Sequence, residues 1–91
     1  VRLSKIQKDI LFVLFALEQK GKQEPVTGMN LLSIINKGSS SELYDTNFRT
    51  SCHTLNSNKL VNKYRTSSLK LAWTLTEAGR AIACIIFNER S

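Results

Sequence analysis

The chain has 91 residues, 42% of them hydrophobic and 22% charged, and thirteen Lys+Arg against seven Asp+Glu leave a net charge of +6. That length fits one small domain over 1–91 with a single core, and the composition excludes a wholly disordered chain. The longest apolar runs, Ile10 to Leu17 and Ala81 to Phe87, are far short of the ~20 residues of a membrane-spanning helix, and VRLSKIQKDIL shows no secretion signal, so no membrane partner is expected.

Residues 4–20, SKIQKDILFVLFALEQK, open on Ser4 as an N-cap and stop before Gly21. Ile6, Ile10, Val13, Leu14 and Leu17 recur at helical spacing, while Leu11, Phe12 and Phe15 widen the apolar stripe almost all the way round. A helix apolar on more than one face is buried on more than one face, which points to a partner subunit. Pro25-Val26-Thr27 reads as a short extended segment, with Thr27 or Gly28 starting a brief helix over 29–37. Met29, Leu32 and Ile35 are expected to face its core side, with Leu31 and Ile34 beside them. The polar run GSSSELYD follows as a linker, its serines including candidate N-caps.

The next helix is predicted from Thr46 to Asn58, capped by Asp45 or Thr46. Phe48, Cys52 and Leu55 define its apolar face. Thr46, Thr50, His53 and Ser57 point the opposite way, with Arg49, Thr54 and Asn56 on the flanks. Leu60 and Val61 return to the core. Two strands, LVNKYRT and LKLAWTL, then flank a tip at Thr66-Ser67-Ser68. In the second, Leu69, Leu71, Trp73 and Leu75 alternate with Lys70, Ala72 and Thr74, a period of two with one buried face. In the first, Lys63 and Arg65 share one side and Tyr64 takes the other; Tyr64 and Trp73 are expected to pack in the core. Thr76 caps a last helix over about 77–88, whose predicted stripe is Ala78, Ala81, Ile82, Ile85 and Ile86, broadened by Cys84 and Phe87.

Charge is distributed unevenly along these elements. Residues 46–76 carry Arg49, Lys59, Lys63, Arg65 and Lys70 without one Asp or Glu, which accounts for five of the six net charges. A solvated surface helix ordinarily pairs Glu with Lys at i, i+4. A cationic helix followed by a cationic hairpin is suited instead to a phosphate backbone and a groove. Cys52 and Cys84 do not make a disulfide framework; both fall on apolar faces, as reduced thiols of an intracellular protein do. Cys52-His53 with Cys84 matches no zinc spacing.

The order helix, helix, helix, strand, strand, helix, with FRTSCHTLNSNKLVNKYRTSSLKLAWTLTEAGRAIA over 48–83, resembles the winged helix-turn-helix of MarR-like and PadR-like bacterial regulators. The resemblance rests on a helix ending in a short turn before Leu60-Val61, a hairpin, and the run Leu75-Thr76-Glu77-Ala78-Gly79. Asn58-Lys59 stands where such families often carry Gly, and Asn tolerates a left-handed turn. The resemblance implies an α+β, mainly helical domain that binds double-stranded DNA as a homodimeric transcriptional regulator of bacterial, plasmid or phage type. Such a protein is cytoplasmic and nucleoid-associated. It also implies that 46–57 enter a major groove while the 62–70 hairpin touches an adjacent groove or the backbone.

On the residues themselves, Arg49 suits a bidentate contact to guanine, and Asn47 or Asn56 suits adenine or phosphate. Thr46, Thr50, Thr54 and Ser57 fit phosphate oxygens or base edges. Lys59, Lys63, Arg65 and Lys70 would neutralise phosphates, and His53 would donate to a base or phosphate when protonated. The wide apolar arcs of the first and last helices, Leu11, Phe12, Phe15, Ile85, Ile86 and Phe87, are the candidate two-fold interface. No glycine-rich phosphate loop, nucleophile elbow or paired acids point to an enzyme or a cofactor. The rival reading is a winged helix that docks a larger assembly through the same apolar surfaces. RNA binding is disfavoured because exposed aromatic residues are lacking in the basic stretch.

Overall fold

The computed structural model describes residues 2–22, 24–38 and 45–90. Four helices and a small sheet follow in the expected order: α1 (Lys5–Gln19), β1 (Val26–Thr27), α2 (Gly28–Lys37), α3 (Asp45–Ser57), β2 (Val61–Arg65), β3 (Leu71–Leu75) and α4 (Glu77–Arg90). The sheet is antiparallel in the order β1-β3-β2, with Val26 opposite Trp73 and Val61 opposite Leu75. This is the mainly helical α+β arrangement that the sequence implied. The linker serines proposed as caps lie outside the described residues.

Local chemistry explains the ends of the elements. Ser4 accepts from the Gln7 amide while the Gln7 side chain accepts from the Ser4 amide, a reciprocal capping box. Thr27 Oγ1 accepts from the Asn30 amide and starts α2 directly after its two-residue strand. Asp45 is the first residue of α3 rather than its cap, and its carboxylate lies where the helix dipole favours an anion. The C-terminus of α3 closes by two bonds, Leu60 N–H to Leu55 C=O at 2.9 Å and Lys59 N–H to Asn56 C=O at 3.0 Å, the Schellman pattern. The left-handed residue there is Lys59 (φ 62), not Asn58.

The core gathers Ile10, Leu11, Leu14 and Phe15 of α1, Leu31 and Ile35 of α2, Phe48, Cys52 and Leu55 of α3, Trp73 and Leu75 of β3, and Ala83 and Ile86 of α4. The broad arcs of α1 and α4 are satisfied largely against each other and within this core. Phe87 packs against both Phe12 (5.6 Å between centroids) and Phe15 (5.2 Å). Arg90 lies over the Phe12 ring and pairs with Asp9, and Arg80 makes a two-pronged bridge to Glu18. Leu11, Phe15 and Ile86 are therefore buried within one copy of the chain, and Ile85 stands out at 60% exposure.

Three expected faces turn out rotated. In α2 the buried residues are Leu31 and Ile35, while Met29 and Ile34 are exposed and Leu32 is half-buried. Gly28 at the start of α2 lies beside Phe48 and Trp73, and Leu31 and Ile35 follow it into the core. In α4 the inward residues are Gly79, Ala83 and Ile86, leaving Ala78, Ala81 and Ile85 outside. A side chain on Gly79 would collide with the Leu60 carbonyl, so this glycine permits the close approach that orients the helix. In the hairpin Ala72 is fully buried and Leu69, expected inside, is 73% exposed. The strand itself begins only at Leu71, after the tip, and consecutive Ala72 and Trp73 are both buried, so β3 is covered on both faces at its centre. Tyr64, also expected inside, lies half in solvent on the part of β2 that runs past the core.

Candidate nucleic-acid interface

α3 is amphipathic in an unusual sense: its inner face is apolar and its outer face is hydroxyl, amide and cation. Phe48, Ser51, Cys52 and Leu55 are buried. Thr46, Asn47, Arg49, Thr50, His53, Thr54 and Ser57 are all exposed, and six of these seven line one continuous shallow surface along the helix. Burial pushes the Cys52 thiol up to about 12, which makes it a packing residue rather than a nucleophile or a metal ligand. His53 projects outward with the Trp73 ring edge-on to its own at 5.5 Å. That contact gives the imidazole a fixed neighbour while leaving it open to solvent.

The hydrogen bonds decide what this face offers. Thr50 Oγ1 donates to the Thr46 carbonyl at 3.0 Å, and Thr54 Oγ1 donates to the Thr50 carbonyl at 2.9 Å. Their protons are committed to the helix, so each presents an acceptor oxygen and a methyl group outward. Arg49 is paired with Asp45 one turn earlier at 3.2 Å. The acid-free stretch thus has an acid at its edge, one residue before it begins. Both side chains are mostly exposed, and such a pair is weak enough to be exchanged for a stronger anion. Asn56 differs from its neighbours: its Nδ2 donates to the Val61 carbonyl at 2.9 Å and the side chain is half-buried. It braces the end of α3 to β2.

The wing places its cations on the side that faces α3. Pairing of Lys63 with Trp73 and Arg65 with Leu71 puts both basic residues on the Trp73 face of the hairpin, with Tyr64 opposite. Arg65 Nη1 donates to the Leu69 carbonyl at 3.3 Å. A cleft of about 380 Å³ runs between wing, α3 and the start of α2, and Arg49, Arg65, Lys70 and the acid Asp45 share its walls with Phe48, Cys52 and Trp73. Among the described residues, no acidic side chain lies within ion-pair distance of Lys59, Lys63, Arg65 or Lys70. The pairs elsewhere involve Arg80, Arg90 and Lys5, on the helices away from this surface.

Behind the interface, the run Leu75-Thr76-Glu77-Ala78-Gly79 acts as a clamp. Thr76 Oγ1 donates to the Lys59 carbonyl at 2.7 Å and accepts from the Gly79 amide, and the Thr76 amide donates to the Leu60 carbonyl. One threonine thereby caps α4 and holds the turn between α3 and β2. The sequence marks Thr76 as a cap, but its second bond, 17 residues back, has no local signal. The brace at Asn56 and the outward Leu69 were likewise beyond local pattern. Asp45, by contrast, was readable as an i, i+4 partner of Arg49.

No protein-family model matches the chain, and no curated protein matches it in sequence. Solved structures do match its fold. MepR, a transcription regulator of the Staphylococcus aureus multidrug efflux pump MepA, superposes with a TM-score of 0.73 at 16% identity, over 97% of this chain and 60% of that one. ZitR of Lactococcus lactis gives 0.71 at 17% identity, over 99% and 56%. F-93 of SSV1 gives 0.73 at 14%, over 99% and 90%. MepR has also been solved in complex with DNA, and that chain matches at 0.72 and 17% identity, over 97% of this chain and 67% of that one. The chain spans little more than half the length of MepR and ZitR but nearly all of F-93. Likeness at such identities establishes the fold, a winged helix-turn-helix of the kind found in MarR-type regulators.

Proposed function

We propose that this chain binds double-stranded DNA as a transcriptional regulator, with α3 in the major groove and the β2–β3 wing on the adjacent groove or backbone. One observation carries the reading: the outward face of α3 adjoins a wing whose Arg65 and Lys70 share a cleft with Arg49 and Asp45, and among the described residues no acidic side chain lies within ion-pair distance of Lys59, Lys63, Arg65 or Lys70. Phosphates supply the missing anions. Arg49 exchanges Asp45 for guanine or phosphate, and Asn47 reads adenine or phosphate. Thr46 and Ser57 contact backbone, and Thr50 and Thr54 offer methyl and acceptor groups to base edges. Lys59, Lys63, Arg65 and Lys70 hold phosphates. Asn56, engaged with Val61, supports the site and reads nothing. MepR, which shares this fold, is described as a transcription regulator and has been solved on DNA, which fits the assignment.

A homodimer acting on a pseudo-palindrome, with half-sites ~34 Å apart, remains part of the proposal. The surface it would use is narrower than the six residues first named. Leu11, Phe15 and Ile86 serve the core, so Phe12, Ile85 and Phe87 carry the contact. The protein-docking alternative loses the same three residues. Selection from a random-oligonucleotide pool tests the reading: enrichment of a duplex motif by the wild type, weakened by Arg49→Ala, is expected. An unenriched pool, with Ile85→Glu instead disrupting a protein complex, would favour docking.

A further inference from the structure

The wing tip holds a leucine where folding alone does not call for one. Leu69 is 73% exposed and adopts φ 61, a left-handed conformation that suits Gly or Asn and strains other residues. The other left-handed side chain, Lys59, sits at a helix terminus whose capping bonds require it. The hairpin turn likewise requires the left-handed backbone at Leu69, but Gly or Asn would meet that need without strain, and the leucine side chain packs no core. Its position is nevertheless tightly held. The Leu69 amide donates to the Thr66 carbonyl at 2.8 Å, and the Thr66 amide donates to the Lys70 carbonyl at 2.9 Å. The Lys70 amide donates to Thr66 Oγ1, and Arg65 Nη1 donates to the Leu69 carbonyl. Four bonds thus close a five-residue loop around an outward apolar side chain. Leu69 lines the same cleft as Arg49, Arg65 and Lys70, on the side of the wing that faces α3.

A large apolar side chain kept at an exposed turn position that favours Gly or Asn points to use rather than to packing. We infer that Leu69 is an apolar wedge for the minor groove of bound duplex, presented by the wing tip while Arg65 and Lys70 hold the phosphates on either side. Minor-groove proteins insert apolar side chains at deformable base steps and bend the duplex there. Arg65 and Lys70 line the same cleft as Leu69, and cations beside an apolar side chain suit a polyanion better than an apolar pocket on a protein. The inference rests on the DNA-binding reading and adds to it a preference that charge cannot supply: pyrimidine–purine steps, which unstack readily, under the wing.

The test uses end-labelled duplexes of about 30 bp that differ only in carrying TA steps or G·C pairs at the wing contact, scored for affinity and for bending by energy transfer. Wild type is expected to favour the TA duplex by roughly tenfold and to bend it. Leu69→Asn, which tolerates the left-handed backbone, and Leu69→Gly are expected to fold normally, keep the salt dependence and lose both preference and bend. Variants that keep the preference, or a wild type that shows none, overturn the wedge. If Lys63→Ala still weakens both duplexes equally, DNA binding stands without it. A wild type that binds neither duplex at low salt removes both ideas.

Discussion

Lys59 is strained where a glycine would not be. Its φ of 62 costs a residue with a Cβ about 1–2 kcal/mol relative to glycine, and the Schellman bonds at the end of α3 hold it there. Lys59→Gly is expected to raise the melting temperature by several degrees, since about 1 kcal/mol shifts a domain of this size by ~4–8 °C. The same substitution removes one of the unpaired cations, so duplex affinity should fall while stability rises. Opposed changes in the two quantities would identify the lysine as kept for its charge. Gly79 is the reverse case. Gly79→Ala pushes a methyl into the Leu60 carbonyl, and overpacking against backbone should cost about 3 kcal/mol or more, seen as a much lower denaturant midpoint. Cys52 supplies a chemical check. Its thiol is pushed up to about 12 by burial, so at pH 8 a thiol reagent should label Cys84 first and reach Cys52 only on unfolding. The folded state keeps the Cys52 proton above the pH where an unfolded thiol, near 9.0, loses it. Its contribution to stability is thus intact below about pH 9 and lost as pH climbs toward 12.

At the scale of elements, the clamp and the brace determine whether the interface keeps its shape. Asn56→Ala removes the bond from α3 to the Val61 carbonyl and should lower stability by roughly 1 kcal/mol. The selected DNA motif should stay unchanged, a separation that thermal melts and a repeat selection measure directly. The α3 face itself was legible in advance because it depends on 100° spacing and on an absence of acids, both local properties of the chain. Ser4, Thr27 and Thr76 were legible for the same reason, as each cap acts within three residues. What escaped was set by contacts distant in sequence. The inward face of α4 follows from the approach of Gly79 to Leu60, and the inward face of α2 follows from packing of Leu31 and Ile35 into a core built largely by the other elements. Leu69 escaped because alternation was extended one step too far, into a tip whose hydrogen bonds reverse the chain. At α4 and at the wing tip a glycine or a left-handed residue, nearly silent in a hydrophobic pattern, set the direction.

For the molecule as a whole, the apolar arcs of α1 and α4 are divided between the chain's own core and a remnant, Phe12, Ile85 and Phe87, that the proposed dimer would use. Stacking of Phe12 and Phe15 on Phe87 lets one chain cover much of both helices. The acids that neutralise the body, Asp9 and Glu18, sit on α1 and reach Arg90 and Arg80 of α4. They tie these two helices together and leave the opposite end of the molecule positive. Lys59, Lys63, Arg65 and Lys70 are the cations that the proposed reading assigns to phosphates. The affinity of duplex DNA as a function of salt measures that charge. With Arg49, Lys59, Lys63, Arg65 and Lys70 on phosphates, log K against log salt should fall with a slope of about −4 to −5 per protomer, and Lys63→Ala should reduce it by about one. A flat dependence, or no duplex binding in dilute salt, would contradict the assignment.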